Sequence, residues 1–315
     1  MMTTYDVIVI GAGAAGLSGA LALVRSRRSV LVIDDGRPRN APADHVHNFL
    51  TRDGTPPSEL YTAGRAEVAG YGGEFATGTV VGVHQGDVFT VEVADGTTYA
   101  GRRVLVTSGL TDVLPDVPGL AEQWGKDVLH CPYCHGWEVR DQAIGVLATS
   151  PMAVHQAQLF RQLSDDVTLF LHTAADLTDE QWEELAARGI AVVTGKVEQI
   201  ETTDGKLTGV RLEGGKVVSR DVLTVQTSLR SRAGFLVDLG LETTAVEANG
   251  MVIGDALTVD AMSQTAVPGV FAAGNVTEPM AQVVMAAAGG LKAGSVINAD
   301  LIREETGLAL AARGS

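Results

Sequence analysis

A glycine-rich turn close to the N-terminus constrains the fold of this chain more than any other feature. The turn reads Gly11-Ala-Gly13-Ala-Ala-Gly16 and follows a short apolar run at residues 5–10. Residues 17–24 then have the apolar spacing of a helix, and residues 30–33 form a second apolar run. This order of strand, turn, helix and strand is the opening of a dinucleotide-binding βαβ unit.

Each glycine of this turn has a distinct physical task. Gly11 permits the tight turn, Gly13 lets a diphosphate approach the backbone, and Gly16 lets the helix pack closely on the strand. The helix N-terminus adds free N–H groups and partial positive charge. Asp34 ends the second apolar run, 18 residues after Gly16, where we expect it to accept hydrogen bonds from an adenosine ribose. The sequence therefore predicts a dinucleotide site.

A second strand–helix–strand pattern occupies the middle of the chain, at residues 143–148, 153–163 and 167–172. Two such patterns predict an α/β fold with two nucleotide-binding, Rossmann-like domains of three ββα layers. We expect the second domain to be inserted into the first. The expected boundaries are 1–116 and 246–315 for the first domain and 117–245 for the inserted one. A terminal helix is predicted at residues 281–298, rich in Ala and Gly. An amphipathic helix is predicted at residues 178–188, with Thr178 as its cap.

Composition and charge exclude several classes of protein. The 315 residues are 45% hydrophobic and 19% charged, which is typical of a globular α/β protein. The net charge of −15 repels phosphate backbones, so nucleic acid is not an expected partner. No apolar run reaches the ~18 residues that a membrane span needs. The first apolar run leads directly into the glycine-rich turn, unlike a signal peptide, so we expect a cytoplasmic location without membrane contact.

The chain has two cysteines, Cys131 and Cys134, in the sequence His-Cys-Pro-Tyr-Cys-His at residues 130–135. A secreted disulfide scaffold would need more cysteines, spaced more widely. A zinc site would need two further ligands, and His130 and His135 flank the pair too tightly for tetrahedral geometry. We therefore predict no metal site. A Cys-x-x-Cys pair in an α/β protein indicates redox chemistry.

Further motifs follow in a recognisable order. Thr107-Ser108-Gly109 closes one strand, and in the later motif at residues 267–275 a strand at residues 270–273 ends at Gly274-Asn275. With the first turn and the Cys-x-x-Cys, they resemble flavoproteins with two dinucleotide domains, and among these the low-molecular-weight thioredoxin reductases. The resemblance covers essentially the whole chain. It departs from the family at Asn275, where the family has Asp.

The resemblance implies that the first domain binds FAD. His47-Asn48-Phe49 falls where the family has a flavin-contacting Asn, and residues 281–283 fall where backbone groups approach the flavin ring. The residues expected to bind FAD are Gly11, Gly13, Ala14, Ala15, Gly16, Asp34, Asp35, Arg39, Asn40, Asn48, Ser108, Gly109, Gly274, Asn275, Gln282 and Val283.

The residue after the second cysteine differs from the reductases. Thioredoxin reductases have an acidic residue there, and this chain has His135. An imidazole titrates near neutrality, so His135 suits proton exchange with two thiols. For His130, a catalytic and a structural role stay open. The resemblance further implies that Cys134 faces the flavin.

The second nucleotide turn has lost its glycines. Residues 144–148 run into Thr149-Ser-Pro-Met-Ala153, where side chains and a proline ring would crowd a diphosphate. The next strand is followed by residues 172–176, which contain no arginine and end in an acid. A 2′-phosphate there would lack its charge-assisted hydrogen bonds. Reduction by NADPH is therefore not expected.

Intact FAD motifs, Cys-x-x-Cys-His and a missing nicotinamide site resemble the dithiol oxidases of gliotoxin and holomycin biosynthesis. The implied enzyme forms an intramolecular disulfide in a small natural-product dithiol, with O₂ as acceptor and H₂O₂ as product. It would act in antibiotic biosynthesis, and the family implies a homodimer. One alternative is a thioredoxin reductase-like disulfide reductase that uses NADPH or ferredoxin. Another is a flavin-binding redox sensor without turnover.

Overall fold

The computed structural model describes residues 3–248 and 250–314, and its internal contacts divide the chain into two compact units. The first unit comprises Met1–Ala41, Thr55–Thr111 and Leu229–Ser315, and the second comprises Pro42–Gly54 and Asp112–Ser228. The second unit is thus inserted into the first. The division differs from the boundaries expected from sequence at three segments, 42–54, 112–116 and 229–245.

Packing and hydrogen bonding explain the two longer differences. The side-chain amide of Asn48 donates to the Tyr133 carbonyl at 2.6 Å, which ties segment 42–54 to the dithiol loop. In segment 229–245, Leu236 and Leu241 are buried in a core that includes Ile8 of the first strand. Neither contact has a local signal in the sequence, because each joins residues far apart along the chain.

The strands are numbered in chain order: β1 (Thr4–Ile10), β2 (Val30–Asp34), β3 (Glu74–Thr77), β4 (Val80–Gln85), β5 (Phe89–Val93), β6 (Thr98–Val106), β7 (Leu110–Val113), β8 (Val128–Leu129), β9 (Ile144–Leu147), β10 (Val167–Phe170), β11 (Ala191–Val193), β12 (Val197–Thr203), β13 (Lys206–Leu212), β14 (Val217–Val218), β15 (Val222–Val225), β16 (Ser228–Ser231), β17 (Thr243–Ala248), β18 (Met251–Leu257) and β19 (Val270–Ala272). The α-helices are α1 (Ala14–Arg25), α2 (Pro57–Gly70), α3 (Leu120–Gln123), α4 (Pro132–His135), α5 (Met152–Phe160), α6 (Asp179–Ala187) and α7 (Val283–Gly314). Gly234–Leu239 and Gly274–Val276 are short 3-10 helices.

The first unit is built on a sheet with the order β3-β2-β1-β6-β5-β4, in which β19 also pairs with β6. Strands β3, β2, β1, β6 and β19 run parallel, whereas β4 and β5 extend the sheet antiparallel. Val7 and Val9 point into the core with the helices, while Ile8 and Ile10 point into the opposite core with β4 and β5. Burial of both faces explains why β1 is a continuous apolar run and does not alternate with polar residues.

Helix α7 is longer than predicted, because the expected segment 281–298 continues to Gly314. Ion pairs hold its later turns to the rest of the first unit. Glu305 accepts from Arg28 at 2.5 Å and from Arg102 at 2.9 Å, and Asp300 accepts from Arg103 at 2.6 Å. The arginines lie nearly 200 or more residues away in sequence, so helix periodicity alone could not reveal this extension.

The second unit contains a parallel sheet with the order β11-β10-β9-β15-β8 and an antiparallel sheet with the order β12-β13-β14. Helix α5 packs against β9 and β10 in a core that includes Ile144, Phe160 and Leu169. Helix α6 begins at a capping box between Thr178 and Gln181, as the predicted Thr178 cap requires. The prediction of an α/β fold with two Rossmann-like units is confirmed. In the described ranges, no helix is both long and apolar enough to cross a membrane.

Candidate dithiol and cofactor sites

The glycine-rich turn has the geometry that its sequence predicted. Gly11 has a φ of +102°, and a Cβ there would lie 2.5 Å from the carbonyl oxygen of Thr107. A Cβ on Gly16 would lie 1.8 Å from the Gly11 carbonyl oxygen. Side chains at either position would push backbone segments apart. These two glycines are therefore required by the protein's own packing.

Gly13 is different, because a Cβ at this position would meet no protein atom within 4 Å. It is the N-cap of α1, no side chain caps the helix there, and the first turn contains no acidic residue. The N–H groups of Gly13, Ala14 and Ala15 at this helix N-terminus are suited to binding an anionic group. The open space and free donors fit the diphosphate of a dinucleotide.

Asp34 lies at the end of β2, beside the glycine-rich turn. Its carboxylate accepts from the Ala12 N–H at 3.0 Å and the Gly36 N–H at 3.3 Å, and it pairs with the guanidinium of Arg65. Arg65 comes from α2, and sequence reasoning missed it because no motif links the two residues. Asp34 therefore holds the turn in shape, and the predicted ribose contact stays a prediction.

Three other expected cofactor residues lie on the loop after β2. Asp35 forms an ion pair with Arg37 at 2.6 Å, and the Asn40 side-chain oxygen accepts from the Tyr61 hydroxyl at 3.0 Å. Arg39 belongs to the same unit. Their assignment to FAD stays a prediction.

The ends of β6 and β19 are adjacent, because these strands are parallel neighbours. The Thr107 hydroxyl donates to the carbonyls of Ile10 and Gly11, both at 2.9 Å, and the Ser108 hydroxyl donates to the Arg232 carbonyl at 2.7 Å. Positive φ values occur at both strand ends, +71° at Gly109 and +79° at Gly274. Gln282 and Val283 lie where α7 begins. This arrangement places the remaining predicted FAD residues of the first unit at one edge of the sheet.

Asn275 has a structural reason to differ from the family's aspartate. Its side-chain amide donates to the carbonyls of Glu278, Pro279 and Ala281 at 3.2, 3.2 and 2.8 Å. A carboxylate cannot donate these hydrogen bonds and would face three carbonyl oxygens. The asparagine therefore organises the loop that leads into α7, a role that the sequence did not predict.

We expect Asn275→Asp to destabilise the protein by about 2 kcal/mol, because a charged acceptor would face three carbonyl oxygens. The midpoint temperature of thermal unfolding and the flavin-to-protein absorbance ratio should both fall. Asn298→Asp is the matched control. Asn298 accepts from the Arg28 guanidinium at 2.8 Å, so a carboxylate preserves that bond. Equal stability of the two variants would contradict this explanation.

A disulfide joins Cys131 and Cys134, whose Cα atoms are 5.3 Å apart. Cys131 is the N-cap of α4, and its sulfur accepts from the Cys134 N–H at 3.2 Å. Pro132 occupies the first helical position, where no N–H is needed. A thiolate formed at Cys131 would be stabilised by this N–H, so Cys131 is suited to exchange with a substrate thiol.

His135 is half-buried and follows the disulfide directly. Burial lowers the pKa of its imidazole, Glu138 and Asp44 oppose that shift, and His47 adds to it. Because the pKa lies below its usual value, the ring is neutral at pH 7 and can accept a proton. This state fits the predicted acid–base role of His135, which stays a prediction.

On the other flank of the disulfide, the His130 carbonyl accepts from the side-chain amide of Gln156 at 3.0 Å. Gln156 is buried on α5, so this helix holds the backbone immediately before Cys131. Sequence reasoning missed Gln156, which lies 26 residues away. The choice between a catalytic and a structural role for the His130 side chain stays open.

Asn48 groups with the dithiol in the second unit, whereas the other expected cofactor residues lie in the first. It has a φ of +59°, a left-handed conformation that asparagine tolerates. Its N–H donates to Asp53 at 2.9 Å, and its side chain donates to the Tyr133 carbonyl between the two cysteines. Asn48 therefore shapes the dithiol loop, and its predicted flavin contact stays a prediction.

The turn after β9 is closed by the chain itself. The Ala148 carbonyl accepts from the N–H groups of Thr173 and Ala174 at 3.3 and 3.2 Å, so the loop after β10 folds onto this turn. The Ser150 hydroxyl is bound to Gln226. The space that remains measures ≈ 170 Å³. Among the residues that the structure describes, its lining includes Asp176 and no basic side chain. Cofactor pockets usually measure about 300–1,000 Å³, so this space is small for a dinucleotide, and the expected lack of NADPH use stays a prediction.

A dinucleotide turn in one unit and a Cys-x-x-Cys disulfide in the other define a dinucleotide-dependent dithiol–disulfide oxidoreductase. The chain belongs to the pyridine nucleotide-disulphide oxidoreductase family, whose model matches residues 5–290. Within this family, it is a thioredoxin reductase-like enzyme.

Similar proteins extend over nearly the whole chain. The crystal structure of HlmI is 46% identical, with a TM-score of 0.91, and the match covers 100% of this chain and 98% of HlmI. The thioredoxin reductase sirT of Leptosphaeria maculans is 35% identical over 93% of both chains. The thioredoxin reductase tcpT of Claviceps purpurea is 33% identical over 96% of both chains. The predicted resemblance to thioredoxin reductase-like proteins is confirmed.

Proposed function

We propose that this chain is an FAD-dependent dithiol oxidase. It forms an intramolecular disulfide in a small natural-product dithiol, with O₂ as electron acceptor and H₂O₂ as the released product. The observation that carries this proposal is the closed turn after β9, where Thr173 and Ala174 bind the Ala148 carbonyl. Without a nicotinamide site, electrons enter through the disulfide. The similarity to HlmI, sirT and tcpT supports a thioredoxin reductase-like dithiol–disulfide enzyme.

The chain's own residues supply the thiol chemistry. A substrate thiolate attacks the Cys131 sulfur, the Cys131–Cys134 bond breaks, and Cys134 leaves as a thiolate. The second substrate thiol then attacks the mixed disulfide, which closes the substrate disulfide and releases Cys131. His135 accepts a proton from a substrate thiol. The electron pair now resides on the two cysteines.

FAD, when bound, supplies a two-electron acceptor that dioxygen can reoxidise. The residues that would hold it are those of the glycine-rich turn and of the adjacent ends of β6 and β19. Gly13 would admit the diphosphate, because the space above it is open. The enzyme would act in antibiotic biosynthesis, in the cytoplasm and as a homodimer.

The alternative is a disulfide reductase that takes electrons from NADPH or ferredoxin. NADPH would need the turn after β9 to open and a basic group to replace Asp176. Ferredoxin would not need that turn. Electrons would then flow from the flavin to the disulfide, which is opposite to the proposed direction. Thioredoxin binding is required only by this alternative, so a binding assay separates the two functions.

Anaerobic mixing tests the proposal directly. Dithiothreitol should bleach the flavin absorbance without NADPH, and air should restore it with the release of equimolar H₂O₂. NADPH alone, as the parallel sample, should leave the flavin oxidised, because the second turn cannot accept its diphosphate. Fast bleaching by NADPH with no bleaching by any dithiol would contradict the proposal.

A further inference from the structure

A second histidine, His47, lies beside the dithiol loop and has no place in the chemistry described above. Only 19% of its side chain is exposed. Its Nδ1 atom lies 3.4 Å from an Asp53 oxygen, and its Nε2 atom lies 3.4 Å from a Glu138 oxygen. All three residues belong to the second unit, with the two cysteines. His47 is therefore an imidazole held between two carboxylates in the same unit as the dithiol.

The contacts around His47 also tie it to the dithiol. The next residue, Asn48, binds both the Asp53 carboxylate and the Tyr133 carbonyl. Glu138 lies three residues after His135, and it acts on both imidazoles. It faces His47 at 3.4 Å and also raises the pKa of His135. His47 is thereby coupled to His135 through a shared carboxylate.

The Nε2 atom of His47 is shielded from solvent and has no aligned hydrogen bond. Its approach to Glu138 at 3.4 Å is close enough for an ion pair but not aligned as a hydrogen bond. A buried polar atom without a partner usually costs about 1–3 kcal/mol, so its persistence calls for a functional reason. Transfer of a proton to or from this atom would supply one.

The stoichiometry of dithiol oxidation requires a second proton acceptor besides His135. Two S–H bonds of the substrate break and one S–S bond forms, while the enzyme disulfide breaks and takes up two electrons. Both cysteines leave as thiolates, so two protons must be accepted within the site. His135 can hold one of them. The second needs another base, and His47 is the coupled imidazole.

We propose that His47 is the second proton acceptor of dithiol oxidation and acts with His135 through Glu138. This inference rests on the proposed oxidase function. Each imidazole would take one proton as the substrate thiols react. The titratable groups that face the pair are Glu138, Asp53 and Asp44, together with the ring of His45, whose centroid lies 6.0 Å from that of His47. His47 contributes to lowering the pKa of His135, so the two imidazoles interact.

The test is the rate of anaerobic flavin reduction by dithiothreitol, measured by stopped flow across pH 5 to 9. The logarithm of the wild-type rate should rise with a slope of two on the acidic limb. His47→Gln should slow reduction about a hundredfold and lower the slope to one, because one neutral base is then enough. Reoxidation of dithionite-reduced enzyme by O₂ should be unchanged. His45→Gln is the matched control and should behave as wild type.

Glu138→Gln provides a second variant. The Glu138 side chain is 40% exposed, so folding should tolerate the substitution. Because Glu138 raises the pKa of His135, its loss should move the acidic limb to lower pH. A uniform slowing of His47→Gln at every pH, with the slope still two, would assign His47 a purely structural role and overturn the inference. Wild-type behaviour of both variants would overturn it too. Failure of dithiothreitol to bleach the wild-type flavin would instead reject the oxidase function itself.

Discussion

Cys134→Ser should lower dithiol oxidation by at least about three orders of magnitude, because loss of a covalent participant removes the reaction path itself. The variant retains Cys131 but cannot form the disulfide that a substrate thiolate attacks. Dithiothreitol should then fail to bleach the flavin under anaerobic conditions. Flavin content and thermal stability should stay close to wild type, because the serine hydroxyl is nearly isosteric and Cys134 is only half-buried.

Cys131→Ser is the matched control for this result. It should be equally inactive in turnover, yet it leaves the thiol that the family resemblance places beside the flavin. Raising the pH should therefore produce a long-wavelength charge-transfer absorbance in Cys131→Ser and none in Cys134→Ser. The reverse pattern would exchange the roles of the two cysteines. Wild-type turnover by Cys134→Ser would mean that electrons bypass the disulfide.

Gly290→Ala should cost about 3 kcal/mol or more in the free energy of unfolding, and it should also release the flavin. A Cβ on this α7 residue would lie 1.9 Å from the carbonyl oxygen of Ala15 in α1. The obstacle is backbone, so the helices must separate, and overpacking of this kind usually costs about 1–3 kcal/mol or more. Because Ala15 is in the first turn of α1, the shift would displace the N–H groups that face a diphosphate.

The same helix provides two controls for this substitution. Gly307→Ala meets no atom within 4 Å, so helix propensity should raise stability by about 0.5–1 kcal/mol. Gly289→Ala, next to Gly290, would make contacts of 3.8 Å or more and should be tolerated. Thermal melts and the flavin-to-protein ratio measure all three variants. Gly290→Ala with wild-type stability would show that the crossing of α1 and α7 can open at little cost.

Several features of the site were predictable because their signals are local. The first turn was predicted from glycine spacing, and Gly11 and Gly16 adopt the close approaches that only glycine allows. Thr178 was predicted as a cap, and its capping box with Gln181 is present. Each prediction depends on residues a few positions apart, whose geometry follows from backbone sterics and nearby hydrogen bonds.

Other features could not be predicted, because they join distant parts of the chain. Arg65 reaches Asp34 across 31 residues, and Gln156 reaches the His130 carbonyl across 26. The three carbonyls around the Asn275 amide explain why this residue is an asparagine and not an aspartate. Contacts of this kind depend on which distant segments the fold brings together, and hydrophobic periodicity does not indicate those segments.

The sequence by itself determined the redox pair, the first dinucleotide turn and the loss of glycine from the second. These properties depend on residue identity and local backbone freedom, so no fold was needed to recognise them. Tertiary structure decided the surroundings of the pair. It brought Asn48 to Tyr133 across 85 residues and placed His47 between Asp53 and Glu138. It also closed the second turn with the N–H groups of the loop after β10. The physical reason is that buried polar groups must find partners, and only the folded chain determines which partners are within reach.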